Sequence, residues 1–155
     1  MKTINLNISL KSIYHPFNDQ ELSKDVIEYL LEKVNYIRFN ESCEIKIHIK
    51  EKISEKEKNK IMNLIKKSFN VRIKRITFLT DIEITKNIIL FFGGLLFLII
   101  VYFFKMKFAL INEILLIIGW VGIWESVSGF IFDIVKSIIR IKRYKQLKSA
   151  NIIFE

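Results

Sequence analysis

The chain has few of the residue types from which metal, redox and catalytic sites are built. Cys43 is the one cysteine among 155 residues, so an internal disulfide and a site of several thiolates are both excluded. The two histidines, His15 and His48, have no carboxylate or thiol at the spacing of a metal-ligand set. We therefore predict neither a metal site nor a cofactor.

The chain also lacks the short motifs that accompany common enzyme activities. It has 5 glycines, and they form neither a glycine-rich phosphate loop nor a nucleophile elbow. The sequence contains no paired acid/base signature, so we expect no catalytic residue and no enzyme activity. The opening segment MKTINLNISL alternates polar and apolar residues, and we expect no signal peptide there.

Charge is missing from one long stretch of the chain. No charged side chain occurs from Ile88 to Phe104. As a helix, this stretch would cover roughly 25 Å, slightly less than the ~30 Å hydrocarbon core of a bilayer. A second apolar segment, residues 108–126, follows after the short turn 105–107. The two segments predict a transmembrane helical hairpin.

The distribution of basic residues predicts the orientation of this hairpin. Lysine and arginine are dense before the first span and after the second, whereas the turn has only two. Positive residues near the ends of spans stay in the cytoplasm, so we expect a multi-pass protein with both termini cytoplasmic. The predicted interface residues are Lys86, Lys105, Lys107, Trp120, Trp124, Arg140, Lys142 and Arg143.

The overall charge fits a membrane rather than a nucleic acid. A net charge of +9 suits anionic lipid headgroups, which attract each nearby basic residue by about 1 kcal/mol. The basic residues are not interleaved with exposed aromatics and form no recognised module, so no nucleic acid is expected. Abundant lysine, isoleucine and asparagine favour a bacterial origin, and we predict the bacterial inner membrane.

The second span and the segment after it allow two interpretations. Trp120 and Trp124 suit a membrane–water interface, and Glu125 follows them as an interfacial charge would. Residues 127–148 then form a basic amphipathic helix on the inner leaflet. The alternative is a longer, tilted span that reaches Ile134 and carries Glu125 inside the membrane.

Small residues within the two spans predict close helix packing. They are Gly93, Gly94, Gly119, Gly122 and Ser126. Gly122 and Ser126 are four residues apart, so they share one helix face and let another backbone approach. This contact joins the two helices of one hairpin, or it also joins neighbouring protomers in a homo-oligomer.

Glu113 is the one residue of the spans that could carry chemistry. An ionised carboxylate deep in lipid costs about 2.5–3.5 kcal/mol, so such residues are functional candidates. Yet Glu113 lies about 8 Å past Phe108 along a helix, close enough to the outer interface to remain partly hydrated. The favoured interpretation is structural, and the alternative is a proton- or ion-coupled role.

The first 70 residues predict a small cytosolic α/β domain. Residues 3–10 and 44–50 alternate apolar and polar side chains as half-buried strands do. Apolar residues from Val26 to Val34 recur at helical spacing between them, and Ser23, or Asn18 with Glu21, is the predicted N-cap. The three elements form a parallel βαβ unit.

A second cytosolic helix begins at Ser54, which forms a capping box with Glu57. The connector 71–87 fits either a bulged strand or a helix leading into the first span, and we favour the helix. The tail 149–155 is short, apolar and β-prone, and we expect it to return to the sheet as a third strand.

The predicted fold is therefore an α+β membrane protein with a βαβα cytosolic domain, a transmembrane hairpin and a basic C-terminal helix. Several segments together resemble a family of small, uncharacterised bacterial membrane proteins. They are His15-Pro16-Phe17-Asn18, Leu22-Ser23, Tyr29, the run Gly119 to Trp124, Phe132-Asp133, and the basic tail with its apolar end. The resemblance implies the same architecture and carries over no functional residue.

Two functions are compatible with these features. The first is a non-enzymatic membrane protein that displays its cytosolic domain for interaction or assembly with an unidentified protein. The second is an oligomeric pore-forming or transport-related protein that uses Glu113, such as a stress or defence effector.

Overall fold

The computed structural model describes residues 2–104 and 109–155. The chain forms two compact units: the α/β unit, Met1–Arg75 with Arg140–Glu155, and the hairpin unit, Ile76–Ile139. In chain order the elements are β1 (Lys2–Ile8), α1 (Leu10–Ile13), β2 (Tyr14–His15), β3 (Asn18–Leu22), α2 (Lys24–Asn35), β4 (Cys43–Ile49), α3 (Glu55–Phe104), α4 (Ala109–Ser128), a π-helical turn (Gly129–Ile134), α5 (Val135–Lys148) and β5 (Asn151–Phe154).

A three-stranded parallel sheet forms the base of the α/β unit, in the order β1-β4-β5. Ile45 of β4 lies between Ile4 of β1 and Ile152 of β5. The structure thus contains the predicted βαβ unit, and the C-terminal tail joins the sheet as an edge strand. Because β5 follows both long helices, the hairpin unit is inserted into the connection between β4 and β5.

The core of the α/β unit is aliphatic and lies on one face of the sheet. Alternation along β1 buries Ile4 and Leu6 and leaves the intervening polar residues exposed. Helix α2 buries Val26, Ile27, Leu30 and Val34, and the first part of α3 buries Ile61, Leu64, Ile65 and Phe69. The rings of Phe69 and Tyr144, 5.8 Å apart between centroids, join α3 to α5.

A small antiparallel β2–β3 hairpin precedes α2, where no strand was predicted. The predicted cap at Asn18 and Glu21 is wrong, because these residues belong to β3. Helix α2 instead begins at Lys24, with Ser23 at the N-cap position but without a side-chain capping bond. Pro16 and Phe17 form the turn, and Phe17 is 93% exposed.

Helix α3 begins with the predicted capping box. The amide of Ser54 donates to Oε2 of Glu57 at 2.9 Å, and the amide of Glu57 donates to the Ser54 hydroxyl at 3.3 Å. The bond from the Ser54 amide, and a second from the Ser54 hydroxyl to the same Oε2, lower the pKa of the Glu57 carboxyl. The helix then continues to Phe104, so the preference for a helix over residues 71–85 is confirmed.

The second long helix runs past the predicted boundary at Ser126. Helix α4 passes into the π-helical turn at Gly129 and then into α5, so residues 109–148 are helical throughout. Both long helices contain segments apolar enough to cross a membrane. The predicted turn 105–107, with Lys105 and Lys107, and the start of the second span at Phe108 lie outside the described residues.

Candidate functional site

The two long helices contact each other in the hairpin unit through their smallest residues. A Cβ atom on Gly94 would lie 2.6 Å from the carbonyl oxygen of Gly119, too close for any side chain. A Cβ atom on Gly122 would lie 3.3 Å from the carbonyl oxygen of Leu90. Glycine at these positions therefore allows the backbones to approach closely. We call this contact, with Asn87, Ser126 and Gly129, the seam.

Gly93 does not belong to the seam, although the sequence analysis grouped it with Gly94. A Cβ atom on Gly93 would meet nothing within 4 Å. Successive residues of a helix are rotated by about 100°, so only one of two adjacent glycines can face the partner helix. The structure selects Gly94.

A polar contact continues the seam toward the N-terminal side of Ile88 on α3 and the C-terminal end of α4. The hydroxyl of Ser126, which is fully buried, donates a hydrogen bond to the backbone carbonyl of Asn87 at 2.7 Å. The predicted packing role of Ser126 thus includes a hydrogen bond between helices. In double-mutant cycles such bonds contribute about 0.6 kcal/mol on average in membrane proteins.

Asn87 is the least expected residue of the seam. Its side chain is 1% exposed, and neither its amide nitrogen nor its carbonyl oxygen has a partner among the described residues. A Cβ atom on Gly129 would lie 2.7 Å from Oδ1 of Asn87, so the amide packs against the backbone of the π-helical turn. An unpaired buried amide costs about 1–3 kcal/mol, and π-helical turns are frequent at functional sites. These two features make Asn87 and the turn the strongest candidate site of the hairpin unit.

Asn87 was not among the predicted site residues, although the sequence contains a signal for it. Thr80, Asn87 and Gly94 are seven residues apart, and all three are buried. A repeat of that length along a helix marks one continuous face. The repeat was not predicted because its three residues are polar or small, whereas the predicted helix faces follow apolar residues.

Large apolar side chains cover the outside of the hairpin unit. Ile89, Phe92 and Trp124 are 66%, 62% and 74% exposed. Only 11% and 17% of the most apolar windows of the two long helices is buried. The arrangement is therefore the reverse of a water-soluble core, with small and polar residues inside and large apolar residues outside.

Charged residues gather near Asn87. Lys86 pairs with Glu83 at 3.1 Å, and this contact raises the pKa of the Lys86 amine, with smaller contributions from Glu125 and Asp133. Glu125 of α4 therefore lies within electrostatic reach of Lys86 of α3. Lys86 and Glu125 therefore lie at corresponding positions along α3 and α4. Both are close to Ile88, where the uncharged run begins.

Two further predicted membrane residues, Trp120 and Glu113, lie on the outer surface of the hairpin unit. Trp120 is 59% exposed, and Glu113 is exposed among apolar neighbours. The side chain of Glu113 thus points away from the seam. An ion path that uses this carboxylate would require a second chain beside it.

Arg143 has a different environment from the one predicted. Its guanidinium donates to the carbonyl oxygens of Ile37 and Asn35, the latter at 3.2 Å, and lies 3.9 Å from the ring centroid of Phe39. Burial lowers the pKa of Arg143. The positive group thus binds the C-terminal end of α2, where carbonyl groups lack helical partners, and is not left for lipid headgroups. Arg140 and Lys142 are exposed.

The arrangement is suited to joining helices and exposing an apolar surface, and the described residues contain no group of three or more potential metal ligands. Comparisons with protein-family models, curated proteins and solved structures found no match to this chain. The resemblance to small bacterial membrane proteins therefore stays a prediction.

Proposed function

We propose that the protein is a two-span protein of the bacterial inner membrane that holds its α/β unit at the cytoplasmic face for interaction or assembly. The observation that supports this most is the reversed arrangement of the hairpin unit. Its large apolar residues face outward, and its small and polar residues form the seam. Lipid is the solvent in which that arrangement is stable.

The alternative, a water-soluble protein with two core helices, conflicts with the burial of these segments. Core helices are mostly buried, whereas here 11% and 17% of the most apolar windows is buried. Burying apolar surface contributes roughly 25 cal/mol per Å². Water would therefore strongly disfavour so large an exposed apolar area, and a bilayer removes that cost.

The path of the chain supports cytoplasmic termini. Segments before and after the hairpin unit build one sheet, since β5 pairs with β4. Both ends of the hairpin must then reach the same side of the membrane. Lysine and arginine are enriched on both flanks, which favours the cytoplasmic side.

The surface of the α/β unit supports interaction as its task. Phe17 at the tip of the β2–β3 hairpin is 93% exposed, and Tyr36 after α2 is 76% exposed. Strand β1 lies at an edge of the sheet, where backbone groups can pair with a further strand. Exposed aromatic residues and an edge strand suit a protein partner, including a second copy of this chain.

Extraction and crosslinking test the proposal. The tagged protein should remain in the membrane pellet after alkaline carbonate treatment, because its anchor is apolar and not electrostatic.

Crosslinking in membranes should capture a partner or a second copy, and Phe17→Ser should reduce the yield of the crosslinked product. Lys52→Ser, an exposed change outside the β2–β3 hairpin, serves as the control. Release by carbonate, or the absence of any crosslinked product, would contradict the proposal.

The exposure of Glu113 favours a second candidate function. A carboxylate on the outer surface of a membrane hairpin is costly unless it is hydrated or faces another protomer. An oligomer whose chains turn Glu113 toward one another would line a polar path. Ion flux through liposomes that contain the purified protein tests this candidate. Flux that is absent, or unchanged in Glu113→Gln, counts against it.

A further inference from the structure

A second feature, in the α/β unit, is a groove between the loop after α2 and the end of α5. It has a volume of about 540 Å³. Its polar walls include Asn40, Ser42, Lys142, Lys145 and Ser149, and the ring of Phe39 forms one side. We call it the basic groove.

Hydrogen bonds hold the walls of the basic groove in place. The amide nitrogen of Gln146 donates to the carbonyl oxygens of Arg38 and Glu41, at 2.8 and 2.9 Å. Arg143 binds the same loop through the carbonyl oxygens of Asn35 and Ile37. The loop is thus fixed to α5, so a ligand would bind without the cost of ordering it.

The lysines of the groove have no acidic partner among the described residues. Lys142 and Lys145 are exposed, and no carboxylate oxygen lies within 4.0 Å of either amine in the part of the chain that the structure describes. They are three residues apart and therefore lie on the same face of α5. Lys142 also lies over the ring of Phe39, 5.8 Å from its centroid.

One carboxylate also lines the groove. Oε2 of Glu41 accepts a hydrogen bond from the amide of Arg38 at 3.4 Å. Its charge offsets part of the attraction of the two lysines for an anion. The amide of Asn40 and the hydroxyl of Ser42 add donors that a bare pair of surface lysines would lack.

We propose that the basic groove binds a phosphate group, carried by a small soluble phosphate ester or by a lipid headgroup. Two ammonium groups together with hydroxyl and amide donors match the several acceptor oxygens of a phosphate. The ring of Phe39 offers an apolar surface to the group that carries the phosphate. The proposal goes beyond the proposed function and does not depend on it, because the groove lies within the α/β unit.

Amine labelling of the full-length protein tests the proposal. The protein is placed in nanodiscs of phosphatidylcholine alone or of phosphatidylcholine with phosphatidylglycerol, and an amine-reactive ester is added with and without pyrophosphate. Mass spectrometry follows Lys142 and Lys145. Lys66 and Lys67, exposed lysines of α3 outside the groove, are the internal control.

The proposal expects protection of the groove lysines only. Slower labelling with pyrophosphate in phosphatidylcholine discs supports a soluble phosphate ester, and protection only in discs with phosphatidylglycerol supports a lipid headgroup. Labelling that stays unchanged in both arms overturns the proposal. Equal protection of Lys66 and Lys67 also overturns it, because the effect would then be general screening.

Variants measure the contribution of each charge. Lys142→Gln and Lys145→Gln should each weaken pyrophosphate or headgroup binding by about threefold to tenfold, the smaller value reflecting screening by solvent. Glu41→Gln should tighten binding, since it removes the one opposing carboxylate of the groove. Lys66→Gln and Lys67→Gln, each tested alone, remove the same charge elsewhere and should leave affinity unchanged. Affinity that falls as much in these controls as in the groove variants contradicts a specific site.

Discussion

The two units of the chain place their large apolar residues in opposite positions. In the α/β unit, Ile45, Ile47 and Phe69 are fully buried, and polar residues cover much of the outside. In the hairpin unit, Asn87 and Ser126 are the most buried side chains, and isoleucine, leucine and phenylalanine are exposed. The first arrangement suits water, and the second is the one that lipid would favour, as the proposed membrane hairpin requires.

This difference changes what stabilises each unit. Apolar burial supplies most of the stability of the α/β unit, at roughly 25 cal/mol per Å². In lipid, apolar contact between helices gains little, because lipid tails are equally apolar. Close backbone packing at Gly94 and the bond from Ser126 to Asn87 must then hold the hairpin unit together.

Removal of β5 should have the largest effect. Truncation after Ala150 removes Ile152, which is 8% exposed, and the backbone pairing with β4. We expect a loss of about 3–5 kcal/mol in the free energy of unfolding of the α/β unit, a large share of the stability of a small domain. Limited proteolysis of inverted vesicles measures this loss.

The truncated protein should remain in the membrane, because the hairpin is intact. Ile153→Ala is the matched control, since Ile153 lies on the opposite face of the same strand and is only partly buried. An α/β unit as protease-resistant as that of the full-length chain would contradict the role of β5.

The two adjacent glycines of α3 offer a sharper test of the seam. Gly94→Ala forces a methyl group against the backbone of Gly119 and should destabilise the hairpin unit by about 1–3 kcal/mol. Gly93→Ala meets open space and should be neutral or slightly stabilising, because alanine is the better helix former. Unfolding in detergent, followed by tryptophan fluorescence, compares the two variants. Equal effects would mean that the seam is misplaced.

Substitution of a buried residue usually destabilises a protein, but at Asn87 we expect the opposite. Asn87→Leu removes an unpaired amide from an apolar setting and should stabilise the hairpin unit by about 1 kcal/mol. Ser126→Ala removes a satisfied bond and should destabilise it slightly. The same fluorescence measurement applies to both. Destabilisation by Asn87→Leu would show that the amide has a partner, such as bound water.

The smallest expected effect is a pH-dependent loss of stability at the ion pair between Glu155, which follows β5, and Lys46 of β4. Glu155 pairs with Lys46, and this contact lowers the pKa of the Glu155 side chain from its ordinary value of 4.5. A lowered pKa contributes stability above pH 4.5, and this contribution is lost as the pH falls through the folded-state value. The same pair raises the pKa of the Lys46 amine from its ordinary value of 10.5. In alkaline solution the stability that the pair contributes is therefore lost only above pH 10.5, as the pH rises through the folded-state pKa.

Thermal unfolding of the full-length protein in detergent between pH 3 and 7 checks this prediction. Glu155→Gln should lower the melting temperature slightly at pH 7 and have no effect at the acid end. Glu51→Gln, an exposed change without an ion pair in the described ranges, should have no effect at either pH. A difference between Glu155→Gln and wild type that persists at acid pH would exclude the ion pair as its source.

Alternation and periodicity predicted most of the α/β unit. The strands β1 and β4 follow the period-two pattern, and α2 follows a helical one, because water fixes which face must be buried. The β2–β3 hairpin escaped prediction because four residues of β3, Asn18 to Glu21, are exposed and show no alternation. Pro16, a common turn residue, was the available signal.

The hairpin unit was predictable in outline and not in its contacts. Lack of charge indicated the apolar helices, but lipid-facing helices have no alternation of apolar and polar faces to show which side meets the partner. Gly93 and Gly94 were thus indistinguishable in sequence, and Asn87 looked like part of the connector. Arg143 likewise could not be distinguished in sequence from its basic neighbours, because its contact with α2 depends on the folded unit.

Cysteine accessibility tests the central claim, a membrane hairpin inserted into a cytoplasmic α/β unit. Starting from Cys43→Ala, single cysteines replace Gln20, Lys107 and Ser149, and spheroplasts are treated with a membrane-impermeant maleimide before and after lysis. We predict that Lys107→Cys reacts in intact spheroplasts, whereas Gln20→Cys and Ser149→Cys react only after lysis. Protection of Lys107→Cys in intact spheroplasts, or labelling of Gln20→Cys and Ser149→Cys from opposite sides, would contradict the account.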